Sequence, residues 1–541
     1  MKAYPGEWIK NISRTVQREE LEQMVFALAK ETGYDTFREQ AAHEILRITR
    51  PEDVIPHVYS QYRQIVHDGI FFLLSHLSAE RLVRLGIDQI LMEDNADIGS
   101  RLIELAKAIP TLHKLGQTIA RNRHVDPSFK QWLVQLEEGI YGTDAASVSE
   151  MIQSELGGLL ERYSIRLEAA ILAEASVGVV MAFSWTDPDT GKTGKGVFKV
   201  LKPAVREKLG EELNLLDEVA LFFERNKERY PLRDFRFIET FRDIKEALEA
   251  EMNLPAEQVN LKKAYDFYRR NGSLIPEILP FSTPHITAMT MTGGCKLADL
   301  DMTPFERKKC ARRLFKTIIW QPLCSWDEKT IFHGDPHAGN IHAFRDPETG
   351  EMKEILLDWC QAGALSKSQR IHMMRMVMGV AAGDEQMACD AVTHLSAHDF
   401  PRTKIEHTVK EIMRRQECST GGFVEKTFRV IDQAALSGIR FHKDLLLFRK
   451  AFFTVEGVLY DLDPEFDMDG CMVTLTTGLL TEELPLRWIC TLLPQFDNPE
   501  IYILPVSNKD LQLFALRAGM GAILHHWIDT GNMMLSLLTD K

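Results

Sequence analysis

The run IFHGDPHAGNIHAF at residues 331–344, followed by the turn RDPETGEM and then EILLDWCQAG, constrains this chain more than any other segment. Short apolar runs on either side of a Pro/Gly/Asp turn read as an antiparallel β-hairpin. Asn340 opens the first run and Asp358 closes the second. In an antiparallel pair the start of one strand lies beside the end of its partner, so these two side chains are expected at one mouth. Asp335 sits one short loop away.

Magnesium takes oxygen ligands from few protein groups and completes its shell with phosphate and water, which makes Asn340 and Asp358 the expected metal pair. Asp335 is placed to orient or deprotonate an acceptor hydroxyl or water. An Asp, an Asn five residues on and a later Asp form the arrangement used by protein kinases. A polar turn whose side chains only cap backbone groups would explain any one of the three, and hardly all three at this spacing. His333, His337 and His342 have no thiolate or second acidic set beside them, so they read as structural rather than as zinc ligands.

Such a site needs a cation for the α- and β-phosphates. Lys199, in the strand-like GVFKV, is the candidate, with Lys202 following in a Lys-Pro turn. Alone, a strand lysine reads as a solvated edge residue. Glu257, in the first turn after Pro255, is the candidate to hold Lys199 as an ion pair, although a carboxylate favoured by the helix N-terminal dipole explains it equally well.

Around this segment the chain is mostly helical in pattern. Leu21, Met24, Val25 and Leu28 share a face, as do Val83, Ile87, Ile90 and Leu91. ILAEASVGVVMAFSW, a Gly/Asp/Pro-rich turn and GVFKVLKP then read as a β-hairpin. Helices broken at Pro231 and Pro255 follow, Pro255 suiting a first helical turn. Leu261, Ala264, Tyr265 and Tyr268 give that last helix its buried face. At 541 residues the chain exceeds one compact core. The order of patterns describes an α+β protein with a bilobal protein-kinase-like fold, a small β-rich N-lobe and a helical C-lobe, preceded by an all-helical N-terminal extension. The expected boundaries are 1–105 for the helical N-terminal region, 106–166 for a helical extension, 167–292 for the N-lobe and 293–541 for the C-lobe with its C-terminal helices.

With those residues in place, the chain resembles the UbiB/AarF/ADCK family of atypical protein-kinase-like proteins over roughly Leu105 to Asp467. HKLGQTIARNRHVDPSFKQWLVQLEE resembles the family's KxGQ helix, on Lys114, Gly116 and Gln117. AEASVG is similar to the alanine-rich loop that stands in for a glycine-rich loop, on Ala173, Ala175, Ser176 and Gly178. FKVLKPAV resembles its lysine strand. EMNLPAEQVN resembles its ExD helix, with Glu251 as first acid and Glu257 as the ion-pair glutamate, and RKAFFTVEGVLYDLDPEFD resembles its C-terminal signature. Asn253 stands where the family has Asp. Glu174 puts a carboxylate in a loop that would lie over phosphates, unfavourable unless paired or turned away. The metal-binding triplet reads Asp358-Trp359-Cys360 and lacks the usual glycine. Gly334, where many regulated kinases carry Arg, removes a receiver for an activation-loop phosphate.

The resemblance implies an ATP- and Mg2+-dependent atypical kinase or ATPase. Its KxGQ helix is understood to pack over the place of a protein substrate, so Lys114 and Gln117 here would obstruct phosphorylation of proteins in trans. Relatives support isoprenoid quinone biosynthesis or lipid homeostasis, which makes a quinone precursor, a lipid and proteins of a biosynthetic complex the implied partners beside nucleotide. Two other readings share some of these motifs. One is a small-molecule phosphotransferase of the aminoglycoside or choline kinase type, which has no reason to carry KLGQ upstream. The other is a nucleotide-binding pseudokinase scaffold, favoured by Glu174, Asn253 and Cys360.

Lys+Arg 64 against Asp+Glu 78 leaves a net charge of -14, which opposes non-specific attraction to a phosphate backbone, so no nucleic acid partner is expected. The first twenty residues show no apolar core behind their charges and do not read as a secretory signal. All 8 cysteines fall from Cys295 onward without a C-x-x-C pair, which suits a reducing cytoplasm. The apolar run LQLFALRAGMGAILHHWIDTGNMMLSLL carries Arg517, two histidines and Asp529 and reads as a soluble amphipathic helix, allowing at most peripheral contact with the inner face of a membrane.

Overall fold

The structure is a computed structural model that describes residues 17–93, 96–112, 114, 143–175, 177–203, 205–230, 236–396, 400–414 and 421–517. Gly116, Gln117 and Ser176 lie outside the described residues, as does all of the C-terminal apolar run beyond Arg517. The fold is α+β: a bilobal kinase-like fold with a helical N-terminal extension. Two compact units divide the chain, the first Met1–Gln258 with Ile278–Met291, the second Val259–Glu277 with Thr292–Lys541.

In the first unit the leading helices are Arg18–Thr32, Tyr34–Thr49, Arg63–His76, Ala79–Leu91 and Ile98–Ala108. Leu21, Ala29 and Phe37 pack with Val83 and Ile87, the seam that the 3.6-residue period marks out. Met24 and Leu91, read on the same faces, stay exposed at the flank and end of their helices. Arg81 and Thr111 converge on the fully buried Glu212 of the helix Val205–Arg225: Arg81 forms an ion pair with it and Thr111 Oγ1 donates at 2.6 Å.

The sheet of this unit is antiparallel, ordered β1 (Arg166–Glu174), β2 (Gly178–Thr186), β3 (Thr193–Leu201), β4 (Ile286–Thr290). Alternation assigns its faces. Val179, Met181 and Phe183 of β2, Phe198 and Val200 of β3, and Ile286 and Ala288 of β4 form one apolar face that packs on Val148, Ile152 and Leu156 of the helix Ala145–Leu156. Phe183 and Phe198 stack at 3.9 Å. Gly196 permits this, since a Cβ there would stand 2.4 Å from Phe183 Cζ. Val180, Lys199 and Thr287 are in register on the opposite face.

The second unit is helical, with two small antiparallel pieces: β5 (Cys295–Lys296), β7 (Ile341–Arg345) and β8 (Met352–Leu356) in the order β5-β7-β8, and β6 (Lys329–His333) paired with β9 (Ala362–Ser366). Capping boxes start two of its helices, Thr303 with Glu306 and Ser366 with Gln369. Phe428, Phe448 and Phe452 are buried where the helices Phe423–Leu436 and Lys443–Leu462 meet, Phe428 and Phe452 stacking at 3.9 Å. Among the described residues no helix is long and apolar enough to cross a membrane.

Candidate functional site

Lys199 lies on β3 between two core-facing residues, Phe198 and Val200, so the period-2 alternation turns it to the other side of the sheet. There its Nζ meets Glu257 Oε1 at 2.6 Å, with the Glu257 side chain only 4% exposed. Glu257 is set by the helix Leu254–Tyr268, which Asn253 caps by accepting from the Ala256 N–H at 3.1 Å. An Asn caps as well as an Asp, so the amide that replaces the second acid of the ExD pattern keeps the helix start intact. Gln258 fixes the same turn to β4, donating to the Thr283 carbonyl at 2.8 Å and to Thr287 Oγ1 at 3.1 Å. Sequence reading passed over Gln258, since its partners are 25 residues and more away.

Lys114 is buried and forms an ion pair with Glu251, the last turn of the helix Phe237–Met252. Ala173 and Ala175 are exposed at the join of β1 and β2, where the Ala175 N–H donates to the Gly178 carbonyl at 2.8 Å. Glu174 is paired: Lys202 Nζ stands 2.8 Å from its Oε1 and Thr143 Oγ1 donates to the same oxygen at 2.6 Å.

In the second unit β7 and β8 pair from Ile341–Leu356 to Arg345–Met352, and the Leu357 N–H donates to the Asn340 carbonyl at 2.9 Å. Asn340 and Asp358 therefore do emerge at the same end of the hairpin. Asn340 Nδ2 donates to the Asp335 carbonyl at 3.1 Å, and only the amide nitrogen can do so, which fixes Oδ1 on the other side of the group. Asp358 has a left-handed backbone, φ +57°, a conformation that Asp tolerates better than most residues. Its Oδ1 accepts from the Cys360 N–H at 3.3 Å. The donor set at this mouth is an amide oxygen and a carboxylate, hard oxygen ligands of the kind magnesium takes.

Asp335 is 6% exposed. Its N–H donates to His333 Nδ1 at 3.1 Å, while His333 Nε2 meets the Leu357 carbonyl at 2.9 Å. His333 is thus the tautomer protonated on Nε2, and burial pushes its pKa down, keeping it neutral. One imidazole ties the loop that carries Asp335 to the strand end that carries Asp358. His337 Nδ1 accepts from the Gly339 N–H at 3.1 Å, and no group of three or more metal-ligating side chains occurs among the described residues. Trp359 is fully buried against His333 and Tyr268, and Asn260 Nδ2 donates to its carbonyl at 3.1 Å. At Gly334 a Cβ would lie 2.9 Å from the Gln361 carbonyl oxygen and 3.0 Å from Leu447, so the close approach of the chain before β9 demands glycine there.

The ABC1 atypical kinase-like domain matches residues 135–392. The "Probable protein kinase UbiB" of Xanthomonas oryzae pv. oryzae is 26% identical over 493 residues, covering 86% of this chain and 83% of that protein. The protein of the same description from Xylella fastidiosa is 25% identical over 418 residues, covering 73% of each. Among solved structures, the complex of Rv3197 with erythromycin from Mycobacterium tuberculosis aligns with a TM-score of 0.41 and 14% identity over 67% of this chain and 91% of that one, too loose a superposition to carry weight.

Proposed function

The chain belongs to the UbiB/AarF family of atypical kinase-like proteins, and we propose that within it this protein binds ATP with magnesium and acts as a kinase for a small or lipid-like molecule, or as an ATPase, in isoprenoid quinone or lipid metabolism. The observation that carries the reading is the ion pair between Lys199 and Glu257 at 2.6 Å, a buried carboxylate steadying a strand ammonium.

Lys199 would carry the positive charge for the α- and β-phosphates, its position set by Glu257. Asn340 Oδ1 and the Asp358 carboxylate would hold magnesium, and Asp335 would orient the acceptor hydroxyl or a water. MgATP, when bound, supplies the transferable phosphoryl group. Lys114, the first residue of the KxGQ pattern, is buried against Glu251, and this supports a small acceptor or water over a protein in trans. Glu174 favours the pseudokinase reading less than its charge suggested, because Lys202 neutralises it. A reducing compartment fits the cysteine usage, and the amphipathic pattern of the C-terminal run fits peripheral membrane contact at most.

Phosphate release from MgATP by the purified chain, with and without quinone-precursor phenols or detergent, for wild type and Asp358→Asn, tests this. Release by wild type that is lost in the variant supports the reading. Nucleotide binding without release in every condition would turn it into a scaffold.

A further inference from the structure

Glu174 ends β1 and Lys202 follows the last residue of β3, yet the two meet across the sheet end as a nearly dry ion pair, 4% and 14% exposed. Lys202 grips the β1–β2 join twice. Its ammonium lies 2.8 Å from Glu174 Oε1, and its N–H donates to the Val177 carbonyl at 2.9 Å. Both ends of the short join are therefore pinned to one residue.

The register shows where this charge pair sits. Glu174 pairs with Val179, and Val179 with Val200, the neighbour of Lys199. Glu174 and Lys199 thus share one end of the sheet, two strand spacings or roughly 10 Å apart at the backbone, with Glu174 in the Val179–Val200 row and Lys199 in the next row, which faces the other way. A bare carboxylate at this join would repel phosphates held at the same sheet end in a partly dry site.

We propose that Lys202 is the counter-charge that makes Glu174 tolerable there, and that the two form a positioning pair of the nucleotide site, holding the β1–β2 join and cancelling its negative charge. The proposal rests on the nucleotide reading above. Its signature is a penalty that grows with the number of phosphates on the ligand, which a merely structural role would not produce.

Titration calorimetry of the full chain with MgATP, MgADP and adenosine tests it, on wild type, Lys202→Met, Glu174→Gln and the double variant. Lys202→Met should weaken MgATP at least about tenfold, MgADP less, and adenosine little, since an uncompensated charge acts on charge. The double variant should return MgATP affinity to within about threefold of wild type. Glu174→Gln alone, which leaves Lys202 as excess positive charge, should tighten MgATP several-fold with adenosine unchanged, and it carries the test if Lys202→Met does not fold. Equal losses for all three ligands, no rescue in the double variant, or no tightening in Glu174→Gln while wild type binds MgATP would overturn the proposal alone. A wild-type chain that binds none of the three ligands overturns the nucleotide reading and this proposal with it.

Discussion

The Leu357 N–H donates to the Asn340 carbonyl at 2.9 Å, one step beyond the last β7–β8 pair, Ile341 with Leu356. That bond brings Asp358 to the hairpin mouth as the next residue out, in a left-handed conformation at φ +57°. Holding a non-glycine residue there costs about 1 kcal/mol, and such strain is retained where a side chain is needed in place. Asp358→Gly should therefore melt no lower than wild type, and Asp358→Asn within a degree or two of it, while both lose well over tenfold in phosphate release as a charged metal ligand disappears. Wild-type release from Asp358→Asn at saturating magnesium would remove Asp358 from the metal site.

Lys199 and Glu257 make a pair whose loss is asymmetric. Taking the ammonium away leaves a carboxylate that is 4% exposed, and breaking one side of a buried pair costs on the order of 3 kcal/mol. Lys199→Met should lower the melting temperature and weaken MgATP, whereas Lys199→Met with Glu257→Leu should regain stability without regaining nucleotide affinity. Denaturant unfolding and nucleotide titration of the same samples separate the two effects. Affinity restored in the double variant would mean that Lys199 does not act on the phosphates.

What could be read before the fold was known follows a physical division between local and distant order. The hairpin mouth was legible because strand alternation, a Pro/Asp/Gly turn and antiparallel geometry fix where Asn340 and Asp358 fall relative to each other. Lys199 with Glu257 was nameable only as one of two equal readings, since nothing local chooses between an ion pair and a dipole-favoured carboxylate 58 residues away. The pairing of β6 with β9 was not read, because 28 residues of loop and hairpin separate their facing ends, His333 and Ala362. β1 merged with β2 for another reason: ILAEASVGVVMAFSW reads as one run, since RLEAAILAE is largely exposed and no Gly or Pro stands between Glu174 and Gly178 to mark the turn. Lys202 reads in the sequence only as part of a turn, because its partner Glu174 falls inside a run that reads as a single strand with β2.

Gly334 offers a test of packing rather than chemistry. The Gln361 carbonyl oxygen would stand 2.9 Å from a Cβ, and its position is fixed by the bond it accepts from the Gly334 N–H at 2.8 Å. Backbone cannot yield as a flexible side chain can, so Gly334→Ala should destabilise by about 1–3 kcal/mol and Gly334→Arg by more. Thermal melts of wild type and both variants check this. An Arg variant as stable as wild type would show that the loop before β9 can move aside.

His372 gives the chain a pH dependence of known sign. Its ring stacks on His394 at 4.1 Å, and burial first, then His394 and Arg375, push its pKa from the ordinary 6.5 down to about 4, with Asp510 pulling the other way. Above pH 6.5 the residue is neutral folded or unfolded and stability does not depend on it. As pH falls from 6.5 towards 4 the unfolded chain takes up a proton that the folded chain refuses, so stability declines across that window. His372→Phe keeps a ring against His394 and removes this proton uptake. The melting temperature of wild type should therefore fall more steeply than that of the variant between pH 6.5 and 4.5, all other histidines being common to both. Parallel curves would assign the proton uptake elsewhere.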